Sequence, residues 1–279
     1  MYLEHSKKYN SHGTYLYYKK NFKSLLLAFN KINVAYVEDV DDQIFEKLTD
    51  YYLNLGKNKN SKINDIISSS ITVFRFYSVP IPKRYKLRDD TTGFKALNQT
   101  EYSEVKKYVN SLDINNPNNI SWGLSILLLL DTGVRLSELF DIKFKNVDLT
   151  TESIYLEHTK NGKKRYVLFG KLSRKFLVAA SKQKKEYVIW NYNKNARMNK
   201  YSLYHFLDKM NVSLEFKHNI HPHRLRKTFA TRLLIAGCPL TTISKLLGHS
   251  DIKQTMIYLE IDYSMLKLDY DNYYPYDDN

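Results

Sequence analysis

The chain has a single cysteine, Cys238, in 279 residues. An internal disulfide and a cysteine-rich metal site are both excluded. Cys238 stands beside apolar residues and reads as a buried small hydrophobe. Long apolar runs are missing too. The longest lies around Leu124 to Leu130, far short of the ~20 residues that a membrane-spanning helix needs. The opening MYLEHSKKYN has no apolar signal core, and a soluble chain of cytoplasmic type is expected. Internal repeats with periods of about 20–50 residues are absent, which sets aside stacked-repeat architectures. No carboxylate cluster of the two-metal kind is apparent, so neither metal nor cofactor is expected. Acidic residues are the minority: 29 Asp and Glu against 43 Lys and Arg give a net charge of +14. Such a balance points to a polyanionic partner, most simply nucleic acid, although a solvated basic surface would look the same.

What is present suits two domains, since 279 residues exceed a typical single domain and 43% hydrophobic residues suffice for ordinary cores. Between residues 12 and 30, Tyr15, Tyr18, Phe22, Leu25, Leu26 and Phe29 follow helical spacing, with Lys19, Lys20 and Lys23 interleaved. A second helix is predicted from Asp41 to Leu55, its start enriched in acidic residues as the helix dipole prefers, and a third from Lys62 to Tyr77. Small helical modules with lysines on one face commonly grip DNA backbones. Alone, the three-helix pattern would equally suit a protein-interaction module. Val79-Pro80-Ile81-Pro82 cannot continue a helix, and Lys86 to Gly93 is charged and turn-prone. The expected organisation is a helical domain over residues 1–78, a linker over 79–95 and a second domain over 96–279.

In the second domain, Gln99 to Leu112 reads as an amphipathic helix capped by Asn98 or Thr100. Ile120 to Leu130 reads as a buried helix. It runs into Asp131-Thr132-Gly133-Val134-Arg135-Leu136-Ser137-Glu138-Leu139. Gly133 permits a sharp turn between two helices, and Arg135 then falls near the start of the next, where backbone donors favour an anion. Glu138, three residues on, is placed to hold that arginine or a histidine. Ser153 to Thr159 alternates like a strand, Lys160-Asn161-Gly162-Lys163 carries a hairpin turn signal, and Arg165 to Phe169 returns. Lys171 to Tyr187 is predicted as a basic helix, Trp190 to Tyr201 as a loop and Ser202 to Met210 as a helix.

Residues His221 to Tyr258 organise the rest. His223 and Arg226 are three apart and share one helix face, while Leu225, Phe229 and Leu233 bury the other. His221 and Arg224 offer a second register of the same spacing; the buried register of Leu225 and Phe229 favours His223 and Arg226. Gly237 and Pro239 end this helix, and a short helix from Thr241 to Leu247 runs into Gly248-His249-Ser250. Arginines hold phosphate oxygens bidentately. A tyrosine phenol, with a pKa of ~10, attacks a phosphodiester only with a base and a strong electrostatic site beside it.

Pro222-His223-Arg224-Leu225-Arg226, Thr228-Phe229-Ala230-Thr231, Leu246-Leu247-Gly248-His249-Ser250, Thr255 to Tyr258, and Thr132-Gly133-x-Arg135-x-x-Glu138-Leu139 together resemble the tyrosine recombinases, also called phage-type integrases. Many members place a histidine after the second arginine, where this chain has Lys227. The resemblance implies a mostly α fold with a small antiparallel β-sheet: an N-terminal helical (SAM-like) core-site-binding domain, and a tyrosine-recombinase catalytic domain. It implies Tyr258 as nucleophile on DNA, forming a 3′-phosphotyrosyl bond, with Arg135, Arg226 and His249 on the non-bridging oxygens, and Glu138 supporting them. His223 accepts or positions the tyrosine proton. In the family's Lys-x-Gly-Lys pattern the general acid is the first lysine, here Lys160; Lys163 and Lys164 compete for that role or bind phosphates. Lys19, Lys20 and Lys23 are the DNA-backbone candidates of the first domain. The expected partners are double-stranded DNA sites and three further copies of the chain, a homotetramer on two sites with the segment after Tyr258 docking in trans, with room for an accessory factor. An integrase of a phage or mobile element is the first expectation, favoured over an Xer-type dimer-resolving recombinase and, in another class, a silent DNA-binding module. No extra arm-site-binding domain is apparent before residue 12, which keeps the Xer-type reading open.

Overall fold

The computed structural model describes all residues except 57–58, 82–86, 89–94, 158–163, 250, 252–254 and 256–279, and of Val37 only the backbone. It divides into two units, Met1–Thr92 and Gly93–Asn279.

Among the described residues the first unit is built on four helices: α1 (Tyr2–Tyr9), α2 (His12–Lys31), α3 (Ile44–Asn54) and α4 (Asn60–Phe76). The last three lie where helical spacing places them, give or take a few residues. Their apolar stripes meet in one core around Leu25, Ala28, Ile44, Phe45, Leu48, Ile63, Ile67 and Phe74. Leu26, counted with the apolar face of α2, is instead exposed. Helix α1 was not expected. It has no apolar stripe and buries only Tyr2 and Ser6; the Tyr2 ring anchors it edge-on against Tyr18 and Phe76, at centroid distances of 5.7 and 5.3 Å. The chain leaving α4 is tied back at Leu87, whose N–H and carbonyl bond the Asn64 side chain at 3.1 and 2.9 Å.

The second unit forms around α6 (Pro117–Thr132), which follows α5 (Gln99–Asn110). Helix α5 starts in a capping box between Asn98 and Glu101. Helix α6 starts at Asn116, whose side chain accepts from Asn118 N–H, with Pro117 in the first turn. It is apolar on nearly every side, and a helix of that kind is stable only in the middle of a bundle. It packs against α8 (Lys171–Ser181) and α10 (Pro222–Ile235). Gly123 is the point of closest approach to α8, since a Cβ there would stand 2.6 Å from the Phe176 ring. Helix α9 (Lys200–Leu214) stacks Phe206 on Trp122 at 5.1 Å. Short helices α7 (Leu136–Asp141) and α11 (Leu240–Leu247) complete the bundle.

The small sheet is antiparallel, in the order β1 (Val147–Asp148), β2 (Ser153–Leu156), β3 (Arg165–Leu168), with Leu156 paired to Arg165 and Ser153 to Leu168. Two segments depart from what the sequence pattern predicts. The basic helix stops at Ser181, because Lys184 takes φ +52° and Tyr187 is drawn into a bridge with Lys143. The stretch expected as a loop holds a second hairpin, β4 (Trp190–Asn191) with β5 (Ala196–Arg197). Among the described residues no helix is long and apolar enough to cross a membrane.

The entry into the second unit is bolted to α10 by Arg224, which is 2% exposed. Its Nε donates to the Lys95 carbonyl at 3.0 Å, its Nη2 to both Glu101 oxygens at 2.7 Å, and its Nη1 to the His218 carbonyl. The Leu97 N–H donates to Thr228 Oγ1 one turn further along α10. Replacing Arg224 by Met leaves the Glu101 carboxylate without its cation. The expected loss of unfolding free energy is roughly 3 kcal/mol, the lower end for breaking a buried pair, because Glu101 keeps 15% of its side-chain surface. Denaturant titration checks this; a loss below about 0.5 kcal/mol would place the pair among ordinary surface contacts.

Candidate active site

The site gathers where three chain turns meet. Helix α6 ends at Gly133 with φ +60°, and a Cβ there would stand 2.3 Å from the Phe229 ring of α10. Only glycine meets both demands. Helix α11 ends likewise at Gly248, with φ +65°. Arg226, on α10 and 4% exposed, reaches into the space between: Nη1 donates to the Gly133 carbonyl and Nη2 to the Leu247 carbonyl at 2.8 Å. One guanidinium thus satisfies the open ends of two other helices.

Arg135 is extended at the start of α7 and keeps 21% of its side-chain surface. Its Nη2 donates to the Gly248 carbonyl at 3.0 Å, and its Nη1 to Glu138 Oε1 at 3.1 Å. Glu138, 2% exposed, also accepts the backbone N–H of Arg135 at 2.9 Å. A second cation completes its surroundings. Arg165 of β3 forks onto both Glu138 oxygens at 3.1 and 2.8 Å, and its Nε donates to the Leu246 carbonyl at 2.9 Å. Burial alone would raise the Glu138 pKa; the hydrogen bonds and charges of Arg165 and Arg135 outweigh it and hold the carboxyl below its usual value.

The sequence motifs give Glu138 one arginine and miss Arg165. A signal was there. Val167 faces the core from β3, so Arg165, two residues earlier, points inward as well. A charged residue on the buried face of a strand requires a partner.

His249 Nε2 stands 3.0 Å from Arg226 Nη2, and its Nδ1 lies 2.7 Å from Thr255 Oγ1. Burial, then the charges of Arg226, Arg135 and Arg165, push its pKa down to about 4. His223 is exposed at the N-terminal turn of α10. The partial burial of its ring, followed by the charges of Arg226 and Arg135, lowers its pKa as well. His221 acts differently, since its Nδ1 accepts the Arg224 N–H at 3.3 Å and caps α10. The two overlapping His-x-x-Arg registers therefore separate, His221 and Arg224 building the helix start while His223 and Arg226 turn to the cationic cluster.

The structure thus brings Arg135, Glu138, Arg226 and His249 together, with His223 within reach of the same charges. Lys160, Lys163 and Tyr258 lie outside the described residues. Lys164 is exposed just before β3, and Lys19, Lys20 and Lys23 are exposed on α2. Lys227, where many recombinases carry a histidine, is 6% exposed. Cys238 is half-buried rather than buried, at the edge of the apolar cluster around Phe229 and Leu247. Among the described residues no three His, Cys, Asp or Glu side chains are placed to hold a metal ion. Two guanidinium groups on one carboxylate, with a third, Arg226, joined to the same turn through the Leu247 carbonyl and His249, leave net positive charge, with a neutral imidazole at its edge. That arrangement can hold an oxyanion.

The lowered histidine pKa values make a signed prediction. The unfolded chain takes up protons at His249 near pH ~6.5, the folded protein only near about 4. Stability is therefore lost as pH falls through that window. Denaturant unfolding is expected to show a smaller stability at about pH 5 than at about pH 7, and a smaller difference in His249→Gln. Equal differences in the two proteins would remove His249 from the account.

Comparison with known proteins agrees with this geometry. Residues 95–265 match the family model described as the phage integrase family. A "Probable integrase/recombinase" of Acholeplasma phage L2 is 30% identical, covering 89% of this chain and 86% of the relative. The tyrosine recombinase XerC of Lacticaseibacillus casei (strain BL23) is 29% identical over 98% of this chain and 96% of its own length. Among solved structures, the Tn1549 transposon integrase in complex with transposon right end DNA superposes with a TM-score of 0.75 at 16% identity, covering 97% of both chains. A lambda integrase dimer bound to a core site gives 0.70 at 16% identity, over 94% of this chain and 78% of that one. The chain belongs to the phage integrase family, the tyrosine recombinases, enzymes that break and rejoin DNA.

Proposed function

We propose that the chain is the site-specific integrase of a phage or mobile element, exchanging strands between two double-stranded DNA sites without metal or ATP. Tyr258 attacks a phosphodiester, forms a 3′-phosphotyrosyl bond and releases a 5′-hydroxyl. Arg135, Arg226 and His249 donate to the non-bridging oxygens as charge builds on phosphorus. Glu138 holds Arg135. His223 takes or orients the tyrosine proton, and Lys160 gives one to the leaving 5′-oxygen. The covalent link conserves the energy of the bond, and attack by the 5′-hydroxyl of the partner strand reverses the step. The observation that carries this reading is that Arg135 and Arg226, from separate segments, reach the turn that bears His249, Arg135 bonding the Gly248 carbonyl and Arg226 both the Leu247 carbonyl and the His249 ring.

Residues 1–78 would form the core-site-binding domain, with Lys19, Lys20 and Lys23 on the DNA backbone, residues 79–95 the linker and residues 96–279 the catalytic domain. Lys163 and Lys164 would add phosphate contacts. Four protomers would assemble on two sites, the segment after Tyr258 docking on a neighbour. A second reading, resolution of chromosome or plasmid dimers, is favoured by one observation: the XerC relative matches over almost its whole length. Directly repeated identical sites against two unlike sites, in one recombination assay, separate the two.

A DNA duplex carrying a candidate junction, nicked just 3′ of the cleavage point and incubated with EDTA, is expected to trap a covalent protein–DNA band on a denaturing gel. Tyr258→Phe abolishes the band, and Arg226→Lys lowers its rate by about 100-fold or more. A band that survives Tyr258→Phe would show that another residue attacks.

A further inference from the structure

His249 sits between two neighbours whose chemistry fixes its proton. Arg226 has only donors, so the His249 nitrogen 3.0 Å from its Nη2 must be an acceptor. That nitrogen is Nε2. A neutral imidazole then carries its proton on Nδ1, and the atom facing Nδ1 at 2.7 Å is Thr255 Oγ1. Thr255 is 0% exposed and His249 half-buried, so the hydroxyl side of the contact is closed to water. We propose that Thr255 is a positioning residue: its hydroxyl accepts the Nδ1–H of His249, selects that tautomer and keeps Nε2 turned to the arginine side of the site.

The inference rests on the oxyanion reading above and adds to it. When a phosphate oxygen replaces Nε2 as the acceptor for Arg226, His249 donates to that oxygen only if Nε2 gains a proton, which it takes from solvent. Nδ1–H stays on Thr255 throughout, so the ring changes charge without rotating. Without the hydroxyl, the Nδ1–H loses that acceptor and the ring is no longer held with Nε2 against Arg226; once the ring can turn, the other tautomer, excluded only while a donor would face Arg226, becomes accessible. Thr255 also stands three residues before Tyr258 in sequence. One hydrogen bond therefore links the ring to the segment that carries the proposed nucleophile.

The test uses the full chain with Thr255→Val, which keeps the shape and removes the hydroxyl, and Thr255→Ser, which keeps the hydroxyl. Two readouts are taken. Nitrogen-15 NMR of labelled histidine, assigned with His249→Gln, reports the tautomer in free protein near neutral pH. Covalent-complex formation on the nicked duplex, measured across pH beside equilibrium DNA binding, reports the consequence. Wild type and Thr255→Ser are expected to show the Nδ1–H form. Thr255→Val is expected to lose it, to cleave about tenfold more slowly with a shifted pH profile, and to bind DNA as wild type does. A wild-type Nδ1–H signal that persists unchanged in Thr255→Val overturns the proposal. So does a cleavage loss shared equally by the Ser and Val variants with the tautomer intact, since that loss comes from packing. If no form cleaves any duplex, the recombinase reading fails, while the spectra still decide whether Thr255 sets the ring.

Discussion

A single buried carboxylate holds this site together. Glu138 accepts four hydrogen bonds, from two guanidinium groups and a backbone N–H, in a place with almost no water. Without those partners it would be among the most costly groups in the molecule. Paired twice, it joins the α6–α7 turn to the sheet, and through the Leu246 and Gly248 carbonyls it joins both to the end of α11. Segments far apart in sequence are thereby held at one fixed spacing. The proposed role, meeting charge as it forms on phosphorus, needs that rigidity, because donors that first have to reorganise lose much of their advantage.

The charge balance has a direction. Arg135 and Arg165 share one carboxylate and Arg226 adds a third positive charge, and the surplus positive potential joins burial in keeping His249 and His223 from protonating. In the proposed reaction an arriving phosphate supplies the missing negative charge. It removes the electrostatic reason for the histidines to stay neutral, so they become better donors when there is something to donate to. The basic excess of the whole chain draws DNA in from a distance; this local excess acts only on the group that enters the site.

Much of this was legible in the sequence, for identifiable reasons. Helices α2 to α5 announced themselves through apolar spacing and, for α5, an Asn–Glu cap, and α6 through its apolar run. Gly133 and Gly248 marked their turns because only glycine adopts those backbone angles easily there. Arg135, Arg226 and His249 were found from spaced motifs, which need no tertiary knowledge. What escaped depends on contacts between distant residues. Helix α1 is held by one aromatic anchor rather than a stripe. The β4–β5 hairpin is two residues long on each side, too short for alternation to show. Arg165 looked like another basic residue beside Lys163 and Lys164 until the strand's inner face was known. Which His-x-x-Arg register serves the cluster was favoured by Leu225 and Phe229, but what the other does became visible only with Glu101 and Lys95 in place.

Functional residues are usually a burden on the fold that carries them, and losing one tends to leave a sturdier protein. Arg226 reverses that relation. Its guanidinium closes the carbonyl ends left open by Gly133 and Leu247, so the group proposed to meet the substrate is also a keystone. A descendant of this chain could not drift into inactivity by shedding that side chain and persist unchanged. It would first have to find other donors for two helix ends. The activity is protected by the architecture, and mutational decay is steered toward positions that hold up nothing else.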